Sequence, residues 1–401
     1  MSGGHDIARE ARRTALILAA AQAVLGSGAP ICFALGALAG SFMLGADKSL
    51  ATAPLTGFNI GVALGALPAA AIIRALGHRK GFLTGSLFTA LGGLIATIAL
   101  FQSGFWLFVA GLMVAGVGSA FVQQFRFAAA DNAPPEFKAR AISFVLAGGI
   151  ITAILGPQTV IFTHDLLAPV PFAGSFAALI VLAGIGVAIL LFLRKESRAG
   201  AALATSDSGR PLGEIVMQPR YAVALGCGVA AYSLMTFVMT GAPLAMVGCG
   251  FSSDQATLGI SWHVMAMFGP SFFTGSLISR FGAAKITAFG LLLEAVAVAI
   301  GVSGVTAMHF WGVLIVVGLG WNFSFVGAST LIVETHRPQE RNKVQALNDF
   351  IVFGLVALGS FSSGQLLTSH GWTVVNLVLL PALAIALLAL AASSAMRQRP
   401  A

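Results

Sequence analysis

The chain has 401 residues, 57% hydrophobic and 9% charged, with a net charge of +8 at pH 7. A soluble domain carries about 25% charged residues, so the composition excludes a water-soluble globular protein and makes lipid the solvent. A basic balance can signal nucleic acid, but the placement of these cations accounts for it otherwise, and no nucleic-acid partner is expected.

Residues 1–13 are a basic, polar leader carrying Arg9, Arg12 and Arg13. A cleavable signal would continue with an apolar core of about 7–15 residues. The run from Thr14 goes well past that length and is read as a retained first helix. Further apolar runs fall near 52–76, 81–102, 105–128, 139–163 and 172–193. Each approaches the ~20 residues a spanning helix needs. A polar stretch follows at 194–219, rich in Gly and Ser and charged at both ends. Six more runs come after it, near 220–247, 256–279, 283–304, 309–333, 344–368 and 372–395. The prediction is an all-α membrane protein with twelve transmembrane helices. It is organised as two six-helix bundles, 1–193 and 220–401, joined by a linker at 194–219.

Twelve spans put both termini and every even-numbered loop on one side, which collects 21 of the 22 Lys and Arg residues. Only Lys48 falls opposite. The positive-inside rule makes the rich side cytoplasmic, so an inner-membrane protein with cytoplasmic termini is expected. The three cysteines, Cys32, Cys227 and Cys249, have neither disulfide nor metal spacing and read as small apolar side chains.

The halves repeat. Leu76–Lys80 (LGHRK) and Phe281–Lys285 (FGAAK) lie 205 residues apart at matching places. Asp131-Asn-Ala-Pro-Pro-Glu136 after the fourth span pairs with Glu334-Thr-His-Arg-Pro-Gln-Glu340 after the tenth, within two residues of the same offset. Parallel repeats of this kind imply a pseudo-two-fold axis along the membrane normal.

Along nearly its whole length the chain resembles the major facilitator superfamily. Its signature loop after the second span has the form G-x-x-x-D-R-x-G-R-R/K. Here the loop reads Ala70-x-x-x-Arg74-Ala-Leu-Gly77-His-Arg79-Lys80, with Arg74 where the Asp belongs. The second copy reads Gly275-Ser-Leu-Ile-Ser279-Arg280-Phe-Gly282, with Ser for Asp. The resemblance implies a cytoplasmic gate in which loop cations meet acids at helix ends: Arg79, Lys80, Arg280 and Lys285 with Asp131 and Glu334. Gly148, Gly149 and Gly156-Pro157 partly match the Gly-rich fifth span of exporters, whereas Leu112 stands where proton-driven exporters carry an Arg. Gly57-x3-Gly61-x3-Gly65 and Ser360-x3-Gly364 line small-residue faces on the second and eleventh spans. Such faces allow close backbone approach; in the family these two helices slide at a gate, and static packing is the alternative.

By the same resemblance the first, fourth, seventh and tenth spans line a central cavity. Trp106, Trp311 and Trp372 begin spans at the outer face, where aromatic belts sit. Tyr232, Trp262 and Trp321 lie off those belts, and Gln22, Asn59 and Asn322 add amides. These six are the candidate solute ligands, with interhelical hydrogen bonding as the bland alternative. Ionisable groups deep in a span are functional candidates by default. His263 and Glu294 lie at similar depth, ~12–14 Å from the outer face, on consecutive spans. They are expected to touch and to carry or sense a coupling proton, with a static buried hydrogen bond, or a Glu294 protonated against a backbone carbonyl, as the alternative.

The GxG patterns at Gly116/Gly118 and Gly318/Gly320 lie inside spans with no preceding strand, and no G-x-x-x-x-G-K-S/T loop occurs. No metal, cofactor or enzymatic chemistry is expected. The expectation is a monomeric secondary transporter of a small amphipathic solute, flat and heteroaromatic, such as riboflavin or a similar vitamin. Proton-coupled drug or sugar efflux is the runner-up. A membrane sensor or lipid-modifying enzyme is the reading from another class.

Overall fold

The computed structural model describes residues 2–131, 133–134, 137–194 and 209–397. Most of the expected linker, 195–208, lies outside the described residues. The chain divides into two compact units, Met1–Leu203 and Ala204–Ala401. Among the described residues every regular element is helical. In lipid this is the economical solution, because a helix satisfies its backbone hydrogen bonds internally.

The first unit contains α1 (Ser2–Leu25), α2 (Gly28–Met43), α3 (Ala53–Phe101), α4 (Phe105–Val122), α5 (Phe125–Asp131), α6 (Lys138–Thr163) and α7 (Ala173–Leu190). The second contains α8 (Leu212–Val216), α9 (Pro219–Gly248), α10 (Ser253–Phe268), α11 (Ser271–Phe281), α12 (Ala283–Ser303) and α13 (Ala307–Val333). It ends with a 3₁₀ turn, Pro338–Glu340, then α14 (Arg341–Leu377) and α15 (Leu379–Arg397).

Nine stretches of the described residues are long and apolar enough to cross a bilayer. Two are too long to cross once: Ala53–Phe101 has 49 residues and Lys343–Ser393 has 51. At 1.5 Å per residue each would run past 70 Å, roughly twice a ~30 Å hydrocarbon core. Both reverse at a glycine in a left-handed conformation, Gly77 (φ 79°) and Gly371 (φ 77°). The remaining crossing is α10 with α11, interrupted at Gly269-Pro270. Counted so, the crossings number twelve, six in each unit.

The repeat is written in the backbone as well. Gly77 and Gly282, equivalent in the signature loop, both have positive φ and extended ψ, 79°/163° and 88°/148°. A side chain there would be strained, so the glycine of the motif is a geometric requirement of the turn between two spans.

Packing within each unit uses small residues. A methyl added at Gly57 would sit 2.8 Å from the Val109 carbonyl, and one at Gly61 would run into the Met113 carbonyl, both on α4. On α14 the Ser360 hydroxyl meets Thr240 at 3.2 Å, and Ser363 donates to the Phe237 carbonyl at 2.6 Å, both on α9. The two small-residue faces are therefore engaged inside their own units. Near one end of the first unit, Ala11, Leu18, Phe82, Phe125 and Leu190 form a buried core, with Phe82 and Phe125 edge-to-face at 4.7 Å.

Candidate functional site

An aromatic cluster occupies the second unit. Tyr232, on α9, meets Trp321 (5.4 Å), Phe325 (5.1 Å) and Phe353 (5.1 Å), each edge-on. Trp321 and Phe325 are one helical turn apart on α13, and their rings lie nearly parallel, 13° apart at 5.2 Å. The spacing i, i+4 places both on one helix face. Trp321 is 7% exposed, and its indole N–H has no hydrogen-bond partner. A buried donor left unmade is costly, about 1–3 kcal/mol, unless a ligand supplies an acceptor. Of the aromatic candidates, the structure joins Tyr232 and Trp321. Trp262 lies outside the cluster and is 45% exposed.

Asn322 follows Trp321 but faces elsewhere. Its amide donates to the Met267 carbonyl (2.5 Å) and to Ser271 Oγ (2.7 Å), and its oxygen accepts from Thr274 (2.6 Å). These partners flank the Gly269-Pro270 interruption, where Pro270 cannot donate and backbone groups are freed. Asn322 therefore pins a broken helix, and both of its donors are committed.

His263 and Glu294 are buried on either side of α13. His263 donates Nδ1–H to the Leu314 carbonyl at 2.7 Å, so the other ring nitrogen, Nε2, is the lone-pair atom of the neutral ring, and it has no partner. Glu294 accepts from Ser324 at 3.0 Å through Oε1, while Oε2 has no partner. Gly318 packs against His263 and Gly320 against Glu294. Residues two apart on a helix face in nearly opposite directions. The expected direct contact between the two is thus corrected: α13 stands between them, and each takes a separate partner.

In the first unit the initial crossing is itself broken, at Gly26-Ser27 between α1 and α2. Ser27 donates to the Ala23 carbonyl (2.7 Å), and Thr152 donates to the Gln22 carbonyl (2.8 Å). The Ser27 N–H turns to the Val24 carbonyl and leaves that of Ala23 to the two hydroxyls (Thr152 at 3.3 Å), whereas the Gln22 carbonyl also keeps the Gly26 N–H at 2.9 Å. The Gln22 side chain is half-buried at this point. Asn59, on α3, is 3% exposed, and its amide nitrogen has no partner.

The charges expected to form a gate lie mostly at the surface. Asp131, Lys80, Arg280, Lys285 and Glu334 are exposed and Arg79 is half-buried. Among the described residues no ion pair within 4 Å joins Asp131 to Arg79 or Lys80. Arg280 instead lies over its neighbour's ring, 5.2 Å from the Phe281 centroid. A close pair of the second unit is Arg210 with Glu340. Nε donates to Oε1 (2.9 Å) and Nη2 to Oε2 (2.8 Å), while the backbone N–H groups of Arg210 and Arg337 each donate at 2.8 Å. Four donors around one carboxylate hold Glu340 well below the usual carboxylate range, with the Arg210 fork as the largest cause. Lys343 further donates to the Arg210 carbonyl. The end of the linker is thereby latched onto the turn between α13 and α14.

Sequence reasoning missed the two helix breaks and this latch. Interrupted spans are common around transporter binding sites, and Gly26-Ser27-Gly28-Ala29-Pro30 and Gly269-Pro270 carry the signal. The latch carries none, because its partners are 130 residues apart and each reads as one more charge on the basic side.

The Major Facilitator Superfamily model matches residues 14–270 and again 224–401. The riboflavin transporter RfnT of Brucella anthropi is 48% identical over 383 residues, covering 96% of either chain. Among solved structures, the xylose transporter XylE of E. coli aligns over 97% of both chains with a TM-score of 0.66 at 13% identity. The E. coli fucose:proton symporter FucP aligns over 96% of this chain and 98% of its own, with a TM-score of 0.63 at 15% identity. The two structures share the fold with this chain; at such identity they say nothing of its solute.

Proposed function

The chain belongs to the major facilitator superfamily, and from that premise we propose that it carries riboflavin, or a flat heteroaromatic solute closely like it, across the cell inner membrane. The observation that carries this reading is the 48% identity, over 96% of the chain, to a protein named a riboflavin transporter. The aromatic cluster supports it. An isoalloxazine ring offers a large π-face to Trp321 and Tyr232 and carbonyl acceptors for the unpartnered indole N–H. Asn59 and Gln22 are the amides proposed as solute ligands in the first unit. Trp262 and Asn322 stand further from such a role, the first by exposure and the second by its committed amide.

The protein is read as having cytoplasmic termini, on the 21-to-1 segregation of its basic residues, and as a monomer. Arg79, Lys80, Asp131, Arg280, Lys285 and Glu334 remain the proposed gate charges on that face. Coupling to protons is the finer part of the proposal. It rests on Glu294 Oε2 and His263 Nε2, two buried titratable atoms with no hydrogen-bond partner.

The test is growth of a riboflavin auxotroph on limiting vitamin. Expression of this chain should restore growth at concentrations where the parent strain fails. No restoration despite membrane insertion of the protein would overturn riboflavin uptake.

A further inference from the structure

The first unit carries a cleft outside the candidate solute ligands. Arg9, Arg12, Arg13, Leu16 and Ile17 recur at helical spacing and form one face of α1. That face and the end of the last helix of the unit border an open cleft of about 930 Å³. Four guanidinium groups line it: Arg9, Arg12 and Arg13 from α1, and Arg194 from beyond α7. Among the described lining residues Glu10 is the single acid. Among the described residues no ion pair within 4 Å engages any of the four arginines. The described lining therefore has a net charge of +3.

Its other half is apolar. Leu16 and Ile17 lie one to two turns further along α1, and Phe192 stands across from them. Leu16 is 47% exposed and Phe192 67% exposed. Seven residues separate Arg9 from Leu16, or ~10 Å along the helix. The lining thus passes from cationic to apolar over the depth that separates a phospholipid phosphate from its acyl chains. Ala11, Leu18, Leu190 and Leu193 close the inner wall as a packed core. The cleft is a shaped recess between two helices, and basic recesses of this kind take anionic headgroups. Guanidinium pairs match phosphate oxygens in a fork geometry that an ammonium cannot supply.

We propose that this cleft binds an anionic phospholipid, its phosphate held by Arg9, Arg12, Arg13 and Arg194 and its acyl chain laid along Leu16, Ile17 and Phe192. The lipid would tie the entry of the first span to the exit of the sixth. The bland alternative is a diffuse basic girdle that attracts anionic lipid anywhere along its surface.

The experiment uses the full chain purified in mild detergent. Phosphatidylglycerol or phosphatidylcholine with identical acyl chains is added, and bound lipid is counted by native mass spectrometry. The expected result is retention of phosphatidylglycerol over phosphatidylcholine. Arg12→Gln and Arg194→Gln, one from each wall, should each weaken it about fivefold, and the double variant more strongly. Arg140→Gln removes an exposed arginine outside the lining and should leave retention unchanged. Equal loss in Arg140→Gln, or no loss in the double variant, would overturn the cleft in favour of diffuse charge. Inorganic phosphate at matching concentration should not displace the lipid; displacement would make the site one for free phosphate. If the double variant does not fold, the single variants and the Arg140→Gln control decide the question alone.

Discussion

At the scale of the residue, the side chains that matter are those whose polar atoms the fold leaves unanswered. Trp321 is the clearest, with a buried indole N–H beside a stacked Phe325 and an edge-on Tyr232. Trp321→Ala should raise the half-saturation for solute about 2- to 10-fold, the range expected from ~0.5–1.5 kcal/mol of aromatic interaction. Trp321→Phe, which keeps a ring and loses the N–H, should recover only part of this. Uptake kinetics on matched amounts of protein give the answer, and unchanged half-saturation in both variants would return Trp321 to core packing. Glu294 is the second such residue. With an imposed pH gradient across vesicles, Glu294→Gln should abolish gradient-driven accumulation while gradient-free exchange survives. Because α13 separates the two groups, His263→Gln should behave as an independent lesion. Accumulation that persists in both variants would place the coupling elsewhere. Lys48 shows how an apparent exception resolves at this scale. Its ammonium donates to the carbonyls of Ser41 and Leu44 (2.7 Å for the latter), at the C-terminal end of α2. A cation there completes a helix end with orphan carbonyls and a negative dipole.

At the scale of the element, glycine decides both where helices turn and how closely they approach. A methyl at Gly61 would meet backbone on α4, which cannot rotate away, so Gly61→Ala should destabilise the protein by about 1–3 kcal/mol. Gly226, on α9, has no atom within 4 Å of the same methyl, so Gly226→Ala should be neutral or slightly stabilising. Thermal midpoints in detergent compare the two directly. The latch between Arg210 and Glu340 predicts a pH dependence. The carboxyl is depressed in the folded state relative to its ordinary 4.5, so its contribution is present above that value and lost as pH falls through the folded one. Amide exchange at Arg210 and Arg337 should be slow near neutral pH in the parent and fast in Glu340→Gln. The difference in stability between the two should narrow as the pH is lowered below 4.5. Equal exchange at neutral pH would mean that the latch is not held in solution.

Much of this architecture was legible in the sequence, for reasons that differ by element. Spans could be read because lipid enforces length and apolarity, and the signature loop because Gly77 and Gly282 occupy a conformation that penalises other residues. Tyr232 and Trp321 stood out because they lay off the interfacial belts. The breaks at Gly26-Ser27 and Gly269-Pro270 lie inside continuous apolar runs, so only their Gly and Pro residues mark them and hydropathy does not. What fixes them, Thr152 and Asn322, is far away in sequence. The contact expected between His263 and Glu294 failed because equal depth does not fix rotation about a helix axis. Asn322 was singled out as a ligand for the same reason: burial of an amide was visible, its partners were not.

At the scale of the whole molecule, the described residues make twelve crossings in two repeated units of a superfamily transporter, and the basic residues predict its orientation. A single-cysteine label replacing Gln339 should react only from the cytoplasmic side, and one replacing Lys48 only from outside. Reaction of both from one side would break the alternation on which the twelve-span count rests. The central claim is that the two bundles move a flat heteroaromatic vitamin. Its most direct measurement is counterflow: purified protein in liposomes preloaded with unlabelled riboflavin, with labelled riboflavin added outside. The account predicts transient accumulation of label that empty liposomes and the Trp321→Ala variant at low solute do not match. Protein-containing liposomes that take up label no faster than empty ones would contradict it.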